Sequence, residues 1–229
     1  MRDSIIFLDF DGVIVDSIDE CFLITKLTFL QEYNIKLNNN IKNVFYKFRG
    51  IVGPPYEYFC LINSILKYPN SESKMLSNFK FIRNKEKKIY YNFEKFFFKN
   101  RKELQNNLEY WCGLHKLTTL GNKIKNGHLD NFYIVSTKDE NSIIILLKFF
   151  NIKIPENRIF GNKSFKKYKN KGNVINYILS NNEKYKSGVF IDDSVDHLNK
   201  LDNNKIKPYF YPFGYGKNTT FDELTYDIL

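Results

Sequence analysis

Apolar residues follow two patterns along this chain. The first is the short unbroken run. Ile5-Ile6-Phe7-Leu8, Phe132-Tyr133-Ile134-Val135 and Val189-Phe190-Ile191 are too brief for helices and rich in β-branched and aromatic residues. They predict strands buried on both faces over residues 4–10, 132–137 and 188–193. "RIFG", ending at Gly161, and "KPYFYP" at 207–212 predict two more strands. In the second pattern apolar residues recur at helical spacing. "ENSIIILLKFF" (140–150), "GNVINYIL" (172–179) and the short "HLNKL" (197–201) fill the intervals between strands. Strands separated by helices of this length imply right-handed crossovers, hence an α/β fold with a central parallel sheet flanked by helices.

Between the first strand and the rest lies a stretch of different character. Ser17-Ile18-Asp19-Glu20 has the S-x-x-E form of a capping box, followed by Phe22, Phe29 and Tyr33 near helical spacing. From there to about residue 107 the chain is rich in Phe, Tyr, Lys and Asn, with turn signals only at "RGIVGPP" (49–55) and "YPN" (68–70). "YYNFEKFFFK" (90–99) predicts a helix that packs its aromatics. The expected organisation is a discontinuous core, 1–17 and 108–229, interrupted by a helical domain at 18–107.

Composition narrows the functional classes. With 229 residues and 43% hydrophobic content the chain can bury a substantial core. The formal charge of +10 suits an anionic partner, but the lysines are scattered among asparagines and form no basic patch, so no nucleic-acid partner is expected. Cys21, Cys60 and Cys112 are odd in number and far apart, which argues against a disulfide framework or a zinc site. No apolar run is long enough to span a bilayer, and Asp9 interrupts the first run too soon for a signal peptide. A cytoplasmic protein with no membrane partner is expected.

The polar residues that follow the strands carry the chemistry. The first strand delivers Asp9 and Asp11, then Gly12, which permits a tight turn; the second delivers Ser136 and Thr137; the third delivers Asp192, Asp193 and, a half-turn on, Asp196. In parallel sheets ligands collect at these strand ends. Several carboxylates meeting in one pocket repel each other and call for a cation. Oxygen donors without Cys or His favour Mg²⁺. His115, His128 and His197 lack a second ligand three or four residues away and read as structural or exposed.

"DFDGVIVDS" (9–17) resembles the first motif of the haloacid dehalogenase superfamily of phosphohydrolases, in the capped subfamily that includes phosphoglycolate phosphatases and β-phosphoglucomutases. Ser136 is similar to the hydroxyl of the second motif, Lys171 to the lysine of the third, and "FIDDSVD" (190–196) to the acidic fourth. The resemblance implies a Rossmann-like core with a helical cap inserted at 18–107. It implies Asp9 as a nucleophile that forms an aspartyl-phosphate, Asp11 as general acid and base, and Ser136, Thr137 and Lys171 as phosphate ligands. Lys166, Lys167 and Lys169 are rivals to Lys171 in the same run. Asp9, Asp11 and either Asp193, the preferred candidate, or Asp192 would bind Mg²⁺, supported by Gly12 and Asp196. Asp11 argues against carbon-halogen cleavage, which needs no acid for its leaving halide. A cap restricts access and points to a small phosphorylated metabolite, with Arg49 in "FRGIVGPPYEY" as the candidate specificity residue. A Mg²⁺-dependent phosphatase is the expected function. A phosphomutase of the same fold, or a non-catalytic basic binding protein, is the alternative. Monomer and dimer both remain open.

Overall fold

The computed structural model describes residues 4–85, 87–127, 131–182, 184–217 and 220–224. His128 lies outside them. The chain divides into two compact units: residues 1–16 with 116–229, and residues 17–115.

The strands belong to the first unit: β1 (Ser4–Leu8), β2 (Val15–Asp16), β3 (Lys116–Leu117), β4 (Phe132–Val135), β5 (Ile159–Phe160), β6 (Ser187–Asp192) and β7 (Ile206–Phe210). Among the described residues five of them form one parallel sheet in the order β5-β4-β1-β6-β7. The run pattern anticipates this α/β class because the central strands are shielded from water on both faces; β4 is buried at every position. The second unit comprises α1 (Ile18–Tyr33), α2 (Asn39–Lys47), α3 (Tyr56–Lys67), α4 (Glu72–Lys85), α5 (Lys87–Leu104) and α6 (Leu108–Gly113). The helices of the first unit are α7 (Thr119–Lys125), α8 (Glu140–Phe149), α9 (Asn162–Tyr168), α10 (Lys171–Ser180) and α11 (Val195–Leu198).

Side-chain caps mark the starts of α8 and α10. The Asp139 side chain accepts from Ser142 N–H at the start of α8, and the Asn170 side chain accepts from Asn173 N–H at the start of α10. One side of the sheet presents Ile5, Phe7, Tyr133, Val135 and Phe190 to Val174, Ile175 and Ile178 of α10 and Leu198 of α11. Three elements show no readable pattern in the sequence. β2 and β3 pair antiparallel over only two residues each, too few to show a period, and α9 occupies the lysine-rich run before Lys171.

The second unit packs a core of aromatics. Phe29 lies against Phe59 and Phe93 at ring-centroid distances of 5.7 and 5.5 Å, and Phe93 and Phe97 of α5 are fully buried. The capping box does not form. Ser17 precedes α1 with no side-chain cap bond, and Glu20 turns inward, where its carboxylate accepts from Arg101 Nε at 2.7 Å, Arg101 Nη2 at 3.1 Å and Trp111 Nε1 at 3.2 Å. A bidentate guanidinium pair at a buried position outcompetes a solvent-side cap.

Candidate active site

Along the chain the sheet grows from β1 through β4 to β5, then resumes on the other side of β1 with β6 and β7. The direction of growth therefore reverses between β1 and β6, and the carboxyl end of that boundary is where open α/β sheets bind ligands. Asp9 and Asp192 stand there. Leu8 is in register with Ile191, and Asp9 N–H donates to the Ile191 carbonyl at 3.0 Å, so the two carboxylates leave adjacent strands side by side.

Lys171 joins them. Its Nζ lies 2.8 Å from Asp9 Oδ2 and 2.7 Å from Asp192 Oδ2, with the whole side chain buried. Lys166, Lys167 and Lys169 are exposed, so burial separates Lys171 from its sequence rivals. The two acids respond differently to this shared cation. Burial raises the Asp9 carboxyl above its ordinary range despite Lys171. Burial also acts on Asp192, but Lys171 and His197, by charge and hydrogen bond, outweigh it and bring that carboxyl down to about 2. Asp192 takes more donors: Ser194 N–H at 2.8 Å and His197 Nδ1 at 3.1 Å in addition to Lys171. Burial opposes the Lys171 charge, yet Asp192 and Asp9 raise its pKa overall.

Asp193 is held by glycines. A Cβ on Gly12, which has φ of +87°, would come within 2.4 Å of Asp193 Oδ2. The loop after β7 closes on it too, since a Cβ on Gly214 would meet the Asp193 side chain at 2.3 Å and one on Gly216 would meet its carbonyl oxygen at 1.7 Å. Only glycine permits either approach. Between them Tyr215 donates its N–H to Asp193 Oδ2 at 2.6 Å and its hydroxyl to Asp16 Oδ1 at 2.8 Å. "FGYG" at 213–216 thus belongs to the site, and its paired glycines after a strand were the available signal.

Asp11 faces a cation that sequence reading passed over. Lys138 Nζ lies 3.1 and 3.3 Å from the two Asp11 carboxylate oxygens. Ser136 is buried where β4 ends, with its Oγ accepting from Lys138 N–H at 3.3 Å, and the Thr137 carbonyl accepts from Asn162 Nδ2 at 3.1 Å. The remaining candidates separate. Asp196 is exposed on the first turn of α11, and His197, the next residue, reaches Asp192 instead. Asp9, Asp192 and His197 offer donor atoms all within 4.8 Å of one another. His115 is buried with Nδ1 2.9 Å from the Trp111 carbonyl and its ring against the indole, a structural position. Arg49 belongs to the second unit, where Nη1 donates to the Val52 carbonyl at 3.0 Å and the guanidinium lies 5.2 Å from the Tyr58 ring centroid.

No family model and no curated sequence matches the chain. Solved structures do. A predicted phosphoglycolate phosphatase from Haemophilus somnus aligns over 96% of this chain and 89% of its own, with a TM-score of 0.59 and 15% identity. A haloacid dehalogenase-like family hydrolase from Streptococcus pneumoniae covers 94% and 88%, at a TM-score of 0.55 and 18% identity. A subfamily IA hydrolase of the same superfamily from Geobacter sulfurreducens covers 92% and 87%, at 0.53 and 10%. This is the haloacid dehalogenase-like fold. At these identities the likeness is one of architecture, and within the haloacid dehalogenase-like fold the Asp9, Lys171 and Asp192 cluster occupies the switch point of the sheet. Among the described residues no helix is long and apolar enough to cross a membrane.

Proposed function

We propose that the protein is a phosphohydrolase acting on a small phosphorylated metabolite through an aspartyl-phosphate on Asp9. The observation that carries this reading is the Lys171 bridge between Asp9 and Asp192, a buried cation placed beside the carboxylate that would attack phosphorus. The ammonium would hold the non-bridging phosphoryl oxygens and draw off negative charge as the group transfers, with the Ser136 hydroxyl and the backbone around Thr137 as further donors.

The acids outnumber the cations. Among the described residues Asp9, Asp11, Asp192 and Asp193 gather with Lys138 and Lys171, four carboxylates to two ammonium groups, and three of the four carboxylates are buried. A hard divalent cation matches that excess and the oxygen donor set, so the residues fit Mg²⁺. Asp192 spends both oxygens on Lys171, Ser194 and His197. Asp9 and Asp11, with Asp193 or Asp192, are the residues that would hold the ion. Bound there, Mg²⁺ would neutralise phosphoryl charge and reduce the repulsion between the attacking carboxylate and the ester.

The Asp9 carboxylate oxygen bonds to phosphorus as the ester P–O bond breaks. The electron pair stays on the leaving oxygen, which takes the proton carried by Asp11, and the alcohol departs. A water molecule then attacks phosphorus and passes its proton to the Asp11 carboxylate. The Asp9–phosphorus bond breaks, its electron pair returns to the carboxylate, and phosphate leaves. The helical unit, which interrupts the chain directly after the first acidic motif, is proposed as the cap that limits substrates to small esters. The test is Mg²⁺-dependent phosphate release from p-nitrophenyl phosphate and a panel of phosphorylated metabolites. Turnover that survives Asp9→Asn, or no turnover on any ester, sinks this reading.

A further inference from the structure

We propose that Lys138 is a positioning residue that sets the Asp11 carboxylate for proton transfer to and from the leaving oxygen, an inference that rests on the phosphohydrolase reading above. An ammonium group is costly to bury, and a lysine is found inside a protein when a specific partner or task keeps it there. The Lys138 side chain is 1% exposed, and both oxygens of Asp11 lie within hydrogen-bond distance of its Nζ.

The backbone that launches this side chain is clamped. Lys138 N–H donates to Ser136 Oγ, and its carbonyl accepts from Asn162 N–H at 2.9 Å. Gly161 permits the second contact, because a Cβ there would come within 2.5 Å of the Lys138 carbonyl oxygen. The next residue, Asp139, caps α8. A turn fixed on both sides delivers one long side chain to one place, which is what aiming a loop carboxylate requires. The bond reaches from the end of β4 to the loop after β1 and ties together two segments 127 residues apart. Lys171 has a separate task, since its contacts are Asp9 and Asp192.

A group that orients the acid and base matters most when the leaving oxygen most needs a proton. The experiment is steady-state hydrolysis, with Mg²⁺, of a series of aryl phosphates from p-nitrophenyl, a weakly basic leaving group, to phenyl and p-methoxyphenyl, strongly basic ones. Wild type, Lys138→Met and Lys138→Arg are compared. Lys138→Met should lose about 100-fold in kcat on phenyl phosphate and under about 10-fold on p-nitrophenyl phosphate, so that the dependence on leaving-group basicity steepens. Lys138→Arg, which keeps a cation, should recover most of the loss. Equal losses across the series, or a loss confined to KM, would overturn the assignment and make Lys138 a structural or phosphate-binding cation. Should Lys138→Met fail to fold by circular dichroism, Lys138→Gln carries the same comparison. Wild-type protein that hydrolyses none of the series, or that keeps its activity on Asp9→Asn, would bring down the phosphohydrolase reading itself, a result separate from a flat leaving-group response.

Discussion

Each unit of this protein buries an ion-pair cluster, and the two clusters are built on opposite rules. In the helical unit Glu20 meets Arg101 in a two-pronged bond completed by Trp111, one negative charge against one positive charge. In the sheet unit Lys171 is shared between Asp9 and Asp192 while Asp193 stands against the Gly12 turn, so acids exceed cations. A closed, neutral cluster holds a fold together. A cluster left with surplus charge keeps capacity for something else to bind, which the proposed function assigns to a cation and a phosphoryl group.

Substitutions can break this contrast. The largest effect is expected from Asp9→Asn, which should lower kcat for phosphate release by about 10⁴-fold or more while the urea midpoint stays near that of wild type, because it removes the proposed nucleophile and relieves a buried repulsion. Glu20→Gln should do the reverse. It strands the Arg101 guanidinium in the helical core and should cost about 3–5 kcal/mol in urea unfolding. The paired change Glu20→Leu with Arg101→Met should recover much of that stability, and a double change no better than the single one would show that the pair is more than a balanced structural contact.

Adding Mg²⁺ sharpens the comparison. An ion that binds only the folded sheet unit should raise stability by about 2.7 kcal/mol at 100 times its Kd, read as a shift in thermal midpoint, and Asp193→Asn should remove most of the shift. Glu20→Gln should leave the Mg²⁺-dependent increment in place. The smallest expected effect is in pH. Asp192 titrates near 2 in the folded protein against 3.8 as its ordinary value. Its contribution, about 2 kcal/mol, is therefore complete above pH 4 and lost as pH falls from about 4 to 2. Asp9 acts in the opposite sense, because burial raises its carboxyl and protonation relieves the folded state. Urea midpoints measured in EDTA on wild type and Asp192→Asn isolate the first contribution, and identical acid slopes in the two proteins would refute it.

The sheet was legible because strands shielded on both faces are written as local apolar runs, and a local run needs no knowledge of the rest of the chain. Asp9, Asp11, Asp192 and Asp193 were legible for a related reason, since each follows such a run directly. The other members of the two clusters are defined by contacts over long separations. Lys138 is one lysine among many until Asp11 is found beside it, and Glu20 reads as a cap residue until Arg101 arrives from α5. His197 shows no ligand spacing because its partner is Asp192, five residues back across the end of a strand. Gly214 and Gly216 follow a strand as a pair, a local signal that takes its meaning only from the approach of Asp193.

The short ladder between β2 and β3 has a consequence for how this architecture can change. Val15 pairs with Leu117 and Asp16 with Lys116, Thr118 N–H bonds to the Ile14 carbonyl, and Gly121 lets α7 press against that same carbonyl. The polypeptide departs and comes back through neighbouring doorposts that the sheet unit fastens to each other. Whatever is threaded between them can be shortened, enlarged or exchanged without disturbing the strand ends where Asp9, Lys171 and Asp192 meet.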